Sequence, residues 1–384
     1  MKKIAVKDIQ EGTVFSEPVY IEGKNLFATA GEAVRKKDLL RLHSWGVTEV
    51  ETEGHPVAFS AQAAEFLSDE GRAAQNGASG TTSPEARRNY LDWIERIDII
   101  CSSISKCEPV QARAVNDIAS QIMLAVKESE NAFVSFVLGG GIQSHHFAKS
   151  LINTTILAAL IAMKMKLSAN KIMSIVTAGL LHDVGMLRLP DSLVHKKGSL
   201  STTERLRIHS HTLLTYTIVM KELVYPADIG LIVLQHHERW DGEGYPRRLS
   251  GKAIDIGARI VAVADAFEAM ISHKAYRNPI MGYQAMKNLL ADNLRHFDPD
   301  VIKAFIQTMG IYPIGSLVLL NNGAMALVVN VQKTAPLRPK VKILVDESGA
   351  VFKNNQGKEI DLLAEKNIFI AKALDPKEAA KKYA

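Results

Sequence analysis

His236 and His237 are adjacent imidazoles at the head of the segment QHHERWDGEGYP, Gln235 to Pro246, and they offer two soft nitrogen ligands for divalent cations. Upstream, LLHDVGM sets His182 beside Asp183, and downstream Asp265 interrupts the apolar run IVAVADAFEAM. A carboxylate next to a histidine can bridge two ions. These polar residues end or interrupt apolar sequence, where an unpaired buried carboxylate is costly. For Asp265 the competing explanation is pairing with Arg259 or Lys274. Adjacent helical residues point about 100° apart, so His236 and His237 suit two neighbouring ions rather than one. His209 and His211, two apart, cannot share a helix face, so one of them is solvent-facing or structural. Two ions held together can generate hydroxide at neutral pH and polarise a phosphoryl oxygen, which is the chemistry of phosphodiester hydrolysis. Gly242 and Gly244 admit close backbone approach to a ligand, while Tyr245, ahead of Pro246, supplies a ring and a hydroxyl.

The elements that must position these residues read as helices. Periodicity near 3.6 runs through LINTTILAALIAMKM, KIMSIVTAGLLH, TERLRIHSHTLLTYTIVMKEL, DIGLIVLQHH and IDIGARIVAVADAFEAMI, and Ser201 with Glu204 forms a capping box. Ahead of them, Ser83 offers an N-cap with Pro84 at the first helical position. Tyr90, Ile94, Ile97, Cys101 and Ile104 then recur at steps of four and three, either as packing within the chain or as a helix-pairing seam. Pro109 breaks the pattern, and a second helix is expected to about Glu128. The predicted organisation is an α+β module over 1–54 with one helix from Lys36 to Trp45, a linker over 55–83, and connecting helices over 84–130. A helical metal-binding domain follows over 131–310, and a small β module over 311–384, with a turn at Asn321-Asn322-Gly323. The fold class is mainly α.

Composition agrees with this division. The chain has 384 residues, 47% hydrophobic and 23% charged, enough for a sizeable core with small modules attached. Its net charge of +5, from 46 basic and 41 acidic residues, lacks the dense single-sign runs of nucleic-acid tails and tolerates an anionic substrate. Cys101 and Cys107 do not have metal-finger spacing and read as reduced thiols of a cytoplasmic protein. No apolar core follows the basic N-terminus, and Leu151 to Met163 falls short of the roughly 18 residues of a spanning helix. A membrane anchor is not expected.

HHERWDGEGYP resembles, almost letter for letter, the signature of the HD-GYP family, metal-dependent phosphohydrolases within the wider HD superfamily. LLHDVG, the segment Leu200 to His211, ARIVAVADAFEAM and AYR follow in the family's order over about residues 143–309. The resemblance implies an HD-type helical bundle that hydrolyses the bacterial messenger cyclic di-GMP to pGpG or GMP with two or three iron or manganese ions. Carried over, the metal ligands are His182, Asp183, His211, His236, His237 and Asp265, with His182, Asp183 and Asp265 at the catalytic centre; the family's spacing favours His211 over His209. Gly242, Gly244, Tyr245 and Pro246 would form the substrate loop, Tyr245 meeting guanine or ribose, and Lys274 and Arg277 would hold phosphates. Lys274 stands where arginine is commoner and loses its bidentate fork.

Three positions depart from the pattern. The family's HSxN segment is SLIN here, so Ser150 occupies a ligand position, and one turn earlier His146 replaces the glutamate of three-metal members. His146 is then either a ligand for a third ion or a surface residue. Met186 stands where HDxGK has lysine, and loss of such a transition-state contact costs about 10² to 10³ in rate. Arg188 could substitute only if its loop bends inward. The expectation is a cyclic di-GMP phosphodiesterase of reduced activity; the alternative is a degenerate protein that binds cyclic di-GMP or signalling proteins as an effector. A homodimer stays open, as does another cyclic dinucleotide as substrate. Neither nucleic acid nor membrane is an expected partner.

Overall fold

Apolar residues at three- and four-residue steps fold the middle of the chain into packed helices around the buried segment His146–Lys164. The computed structural model describes every residue except 10–12, 16, 22, 24, 30–33, 35, 55, 58–82, 140–145, 273–281, 293–294, 353–355 and 375–384. Most of the expected linker, together with Lys274 and Arg277, lies outside the described residues. The chain divides into two compact units, Ser79–Ile311 and the combination of Met1–Ala78 with Tyr312–Ala384.

In the helical unit, His146–Lys164 packs most extensively against Ala169–Leu181 and Ile256–Ile271, the helices that lead to His182 and carry Asp265. It is 19 residues long and apolar enough to cross a membrane, yet 78% of its apolar window is buried inside the bundle. That burial on several sides explains why so much of it is apolar. Pro84–Ser105 and Ala112–Glu128 complete the lead-in, and Tyr90, Ile94, Ile97, Cys101 and Ile104 are all buried within the unit. The four-three repeat is therefore spent on packing within the chain. The helix starts at Pro84 as expected, but the Ser83 hydroxyl makes no capping bond. The fixed φ of proline is sufficient there.

Capping carboxylates also tie the bundle together. Asp255 accepts from the Gly257 amide at 2.7 Å to start Ile256–Ile271, and it pairs with Lys171 of the neighbouring helix at 2.9 Å. Asp298 caps Pro299–Met309 and pairs with Arg259 at 2.5 Å. The Ser201–Glu204 capping box is present. The helix it opens does not run on through His211: it stops at His209, and a second helix, His211–Thr217, starts beyond Ser210. The Ser210 hydroxyl donates to the Arg207 carbonyl at 2.7 Å at the break.

The other unit holds two main antiparallel sheets with separate cores, besides a short pair of β2 (Val14–Phe15) with β6 (Pro56–Val57). β1 (Lys2–Ala5), β3 (Val19–Ile21), β4 (Asn25–Ala28) and β5 (Glu49–Thr52) pair in the order β1-β5-β3-β4, and the helix Lys36–Ser44 supplies Leu42 to a core with Phe15, Val19 and Val50. β7 (Leu317–Leu320), β8 (Met325–Asn330), β9 (Lys340–Val345), β10 (Glu359–Asp361) and β11 (Ile370–Leu374) pair in the order β10-β9-β8-β7-β11. The turn between β7 and β8 uses Gly323 at φ +88°, as its sequence predicts.

Candidate metal centre

Three helix ends converge on Asp183. His182 follows Ala169–Leu181, His211 opens His211–Thr217, and His236 follows Ala227–Gln235. Each ring uses Nδ1 in the same way, bonding the backbone carbonyl three residues earlier: Gly179 at 2.7 Å, Ile208 at 2.8 Å and Val233 at 2.8 Å. A carbonyl only accepts, so Nδ1 carries a proton in all three rings and Nε2 is the ring nitrogen turned inward. The His211 and His236 Nε2 atoms lie 3.1 and 3.5 Å from Asp183 Oδ1, and His182 Nε2 lies 3.6 Å from Asp265 Oδ1. Two ligand groups result, Asp183 with His211, His236 and His237, and Asp183 with His182 and Asp265. Within each group the ligand atoms lie within 4.8 Å of one another. Asp183 belongs to both.

The residues fit divalent cations on their own chemistry. Asp183 Oδ1, His211 Nε2 and His236 Nε2 are buried without a hydrogen-bond partner, so lone pair faces lone pair. Such atoms are costly unless a cation or a proton joins them. The protonation equilibria express the same strain. Burial alone would lower the His182 pKa, but Asp183 and Asp265 outweigh it and raise the group to about 9. His211 is raised in the same sense, burial being overcome by the Asp183 carboxylate facing it. Burial prevails at His236 and His237 and holds both down, with His236 adding to the effect on His237. Burial works against charge on Asp183 and Asp265 as well, yet the imidazoles pull both below the usual carboxylate range. Arg259, spent on Asp298, does not supply the partner of Asp265. His182 does.

The loop after His237 folds on its own carboxylates. Glu238, buried, accepts from the amides of Arg247 at 2.6 Å and Leu249 at 2.9 Å, and Asp241 pairs with Arg239 at 2.6 Å. Gly242 takes φ +84°, and at Gly244 a Cβ would stand 2.3 Å from the Arg239 amide nitrogen. Tyr245 donates its amide to the His237 carbonyl at 3.1 Å and stacks on the His237 ring at 4.8 Å between centroids. Burial, with Asp183 and Asp265, keeps its phenol protonated by raising the pKa. Pro246 is exposed at the loop's rim. Sequence reasoning missed Glu238 and also Gln235, whose side chain accepts from the Asp255 amide at 2.8 Å. No spacing rule marks a carboxylate that turns back onto its own loop.

Residues 140–301 match the HD domain family, and residues 317–382 match the KOW domain associated with HD domains. Over these residues the central bundle is similar to the HD domain family. A cyclic di-GMP phosphodiesterase of Pseudomonas aeruginosa is 30% identical over 236 residues, 62% of this chain and 56% of that protein. A cyclic di-GMP phosphodiesterase response regulator of Xanthomonas campestris is 38% identical over 151 residues, 39% of this chain and 40% of that protein. A 3'3'-cGAMP-specific phosphodiesterase of Vibrio cholerae is 36% identical over 128 residues, 33% of this chain and 24% of that protein. The chain spans between 24% and 56% of the length of these relatives.

Within the bundle, the departing positions have defined surroundings. The Ser150 hydroxyl donates to Glu268 at 2.5 Å, and Asn153 donates to the other Glu268 oxygen at 3.3 Å. The Tyr90 hydroxyl donates to Asn153 at 2.7 Å, so the lead-in helix joins this network one turn beyond Asp265. Lys149 is buried nearby, where desolvation lowers its pKa against the opposing pull of Glu268. His146 is exposed at the start of its helix and stands outside both ligand groups. Arg188 does not bend inward: its guanidinium holds the Ile104 carbonyl at 2.8 Å and Glu222 at 2.9 Å. The lysine-like charge missing at Met186 is not replaced from Arg188.

Proposed function

We propose that this chain is a cyclic di-GMP phosphodiesterase working through a two-metal centre, with its rate reduced by Ser150 and Met186. The observation that carries the reading is Asp183, common to two ligand groups, beside a GYP loop whose tyrosine stacks on the ligand His237. When bound, two iron or manganese ions would supply an activated water at neutral pH and a Lewis acid for the phosphoryl oxygen. His182, Asp183 and Asp265 would hold one ion, and Asp183, His211, His236 and His237 the other, so the adjacent imidazoles fall in one group and not in two as their helical spacing suggests. The three Nδ1 bonds keep the imidazoles oriented so that no rotation is needed at the moment of reaction. Tyr245 would meet guanine or ribose with its neutral hydroxyl, and Lys274 and Arg277 would hold phosphates. The products would be pGpG, GMP or both, formed in the bacterial cytoplasm.

The test is incubation of the purified protein with manganese or reduced iron under anaerobic conditions. Formation of pGpG or GMP is expected; none over long incubation, with metals demonstrably bound, would rule the enzyme out. Commitment of Arg188 to Glu222 and of Ser150 to Glu268 favours a second reading, a silent HD domain that binds cyclic di-GMP or signalling proteins as an effector, alone or as a homodimer. That reading predicts saturable binding without turnover. A panel including 3'3'-cGAMP decides the choice of cyclic dinucleotide.

A further inference from the structure

Tyr245 has a ring on each face. His209 lies parallel to it, 3.8 Å between centroids and 5° between planes, and His237 stacks on it at 4.8 Å and 29°. Two imidazoles at these separations would collide if they shared one face of a single phenol ring, so Tyr245 is sandwiched between them. A nucleobase stacks by laying its π face on a free aromatic face. Tyr245 offers only its edge and hydroxyl. The inner ring, His237, packs against His236 at 4.1 Å and His211 at 5.0 Å, inside the metal centre. The outer ring, His209, is only half-buried, and among the described residues no other aromatic ring lies against it.

The structure thus assigns the free end of the stack to His209, and we propose that His209 is the platform on which the substrate's purine base stacks. This rests on the phosphodiesterase reading above. His209 ends the helix Thr202–His209, and Arg205, exposed, lies one turn earlier on the same helix face. A guanidinium beside the platform suits the O6 and N7 acceptor edge of guanine, or a phosphate. The base would then have two rings, His209 and Tyr245, between it and the candidate ligand His237, with the phosphodiester directed back toward the ions past the Tyr245 edge. His209 carries base recognition, and Tyr245 serves as the spacer that sets its height.

The test compares GMP with ribose 5-phosphate, which lacks the base, by titration calorimetry on the manganese-loaded full chain. Wild type is expected to prefer GMP, His209→Ala to reduce that preference about tenfold, and His209→Phe, which keeps a ring, to restore most of it. An unchanged preference in His209→Ala overturns the proposal, as does an equal loss for both ligands, which marks mere support of the loop. Absence of any preference in wild type, or failure of His209→Phe to restore it, overturns it too. Cyclic di-GMP turnover is assayed in parallel. A preference that depends on His209 without turnover overturns the phosphodiesterase reading and leaves the platform standing; turnover with a preference independent of His209 does the reverse.

Discussion

Asp183 is the residue on which both ligand groups depend, and its charge is what two cations would share. Asp183→Asn keeps the shape and removes that charge, so metal affinity is expected to fall by at least about 100-fold, the upper end for loss of an outer-shell partner. Elemental analysis after anaerobic purification checks this, and two retained ions per chain would contradict it. His182 makes a second measurable statement. With its pKa at about 9 in the metal-free protein, it holds a proton at neutral pH that an incoming ion must expel. Titration calorimetry in buffers of different ionisation enthalpy is expected to show proton release at neutral pH that fades as pH rises above about 9. The sign for stability follows: a raised folded-state pKa stabilises the metal-free protein fully below the unfolded value, about 6.5, and that contribution is lost as pH rises through about 9. If the missing charge at Met186 limits turnover, Ser150→His combined with Met186→Lys should raise it by up to about 10² to 10³. No change from an already active wild type would mean the departures are harmless.

Helix ends deliver the candidate ligands, so the packing of those ends sets the geometry. A Cβ on Gly185 would stand 2.2 Å from the His211 carbonyl oxygen and 2.6 Å from the Thr215 amide nitrogen, both backbone atoms that cannot step aside cheaply. Gly185→Ala is expected to destabilise the fold by about 1–3 kcal/mol, read as a lowered Tm, and to weaken metal binding by displacing His211. Much of this level was legible in the sequence. The ends at His182 and His236 follow from apolar periodicity, and the Ser201–Glu204 box is a local signal. The break at Ser210 was not, because TERLRIHSHTLL keeps its helical pattern straight through it and serine is common within helices. The contact of His209 with Tyr245, 36 positions on, is non-local and no spacing rule marks it. Ser150 could be flagged as a departure, but its bond to Glu268 could not, since it spans 118 positions.

At the level of the whole chain, every described ligand, the GYP loop and the Tyr90–Asn153–Glu268 network fall within Ser79–Ile311. Residues 79–311 expressed alone are accordingly expected to fold and to bind metal with the stoichiometry of the full chain. Loss of binding on truncation, seen by elemental analysis of the folded fragment, would show that the other unit supports the site. The β modules were legible as strands from alternation and turn residues, whereas sheet order depends on non-local pairing that no local pattern encodes. The three Nδ1 bonds to main-chain carbonyls carry a consequence for how such a centre ages in evolution. Many metal-binding histidines are oriented by a carboxylate that a single substitution can delete; these three are oriented by groups every residue type possesses. Drift elsewhere in the pocket can erase turnover while the imidazoles keep their aim, so a silent descendant would still purify with its metals. Bound metal in this lineage records ancestry, and only product formation records activity.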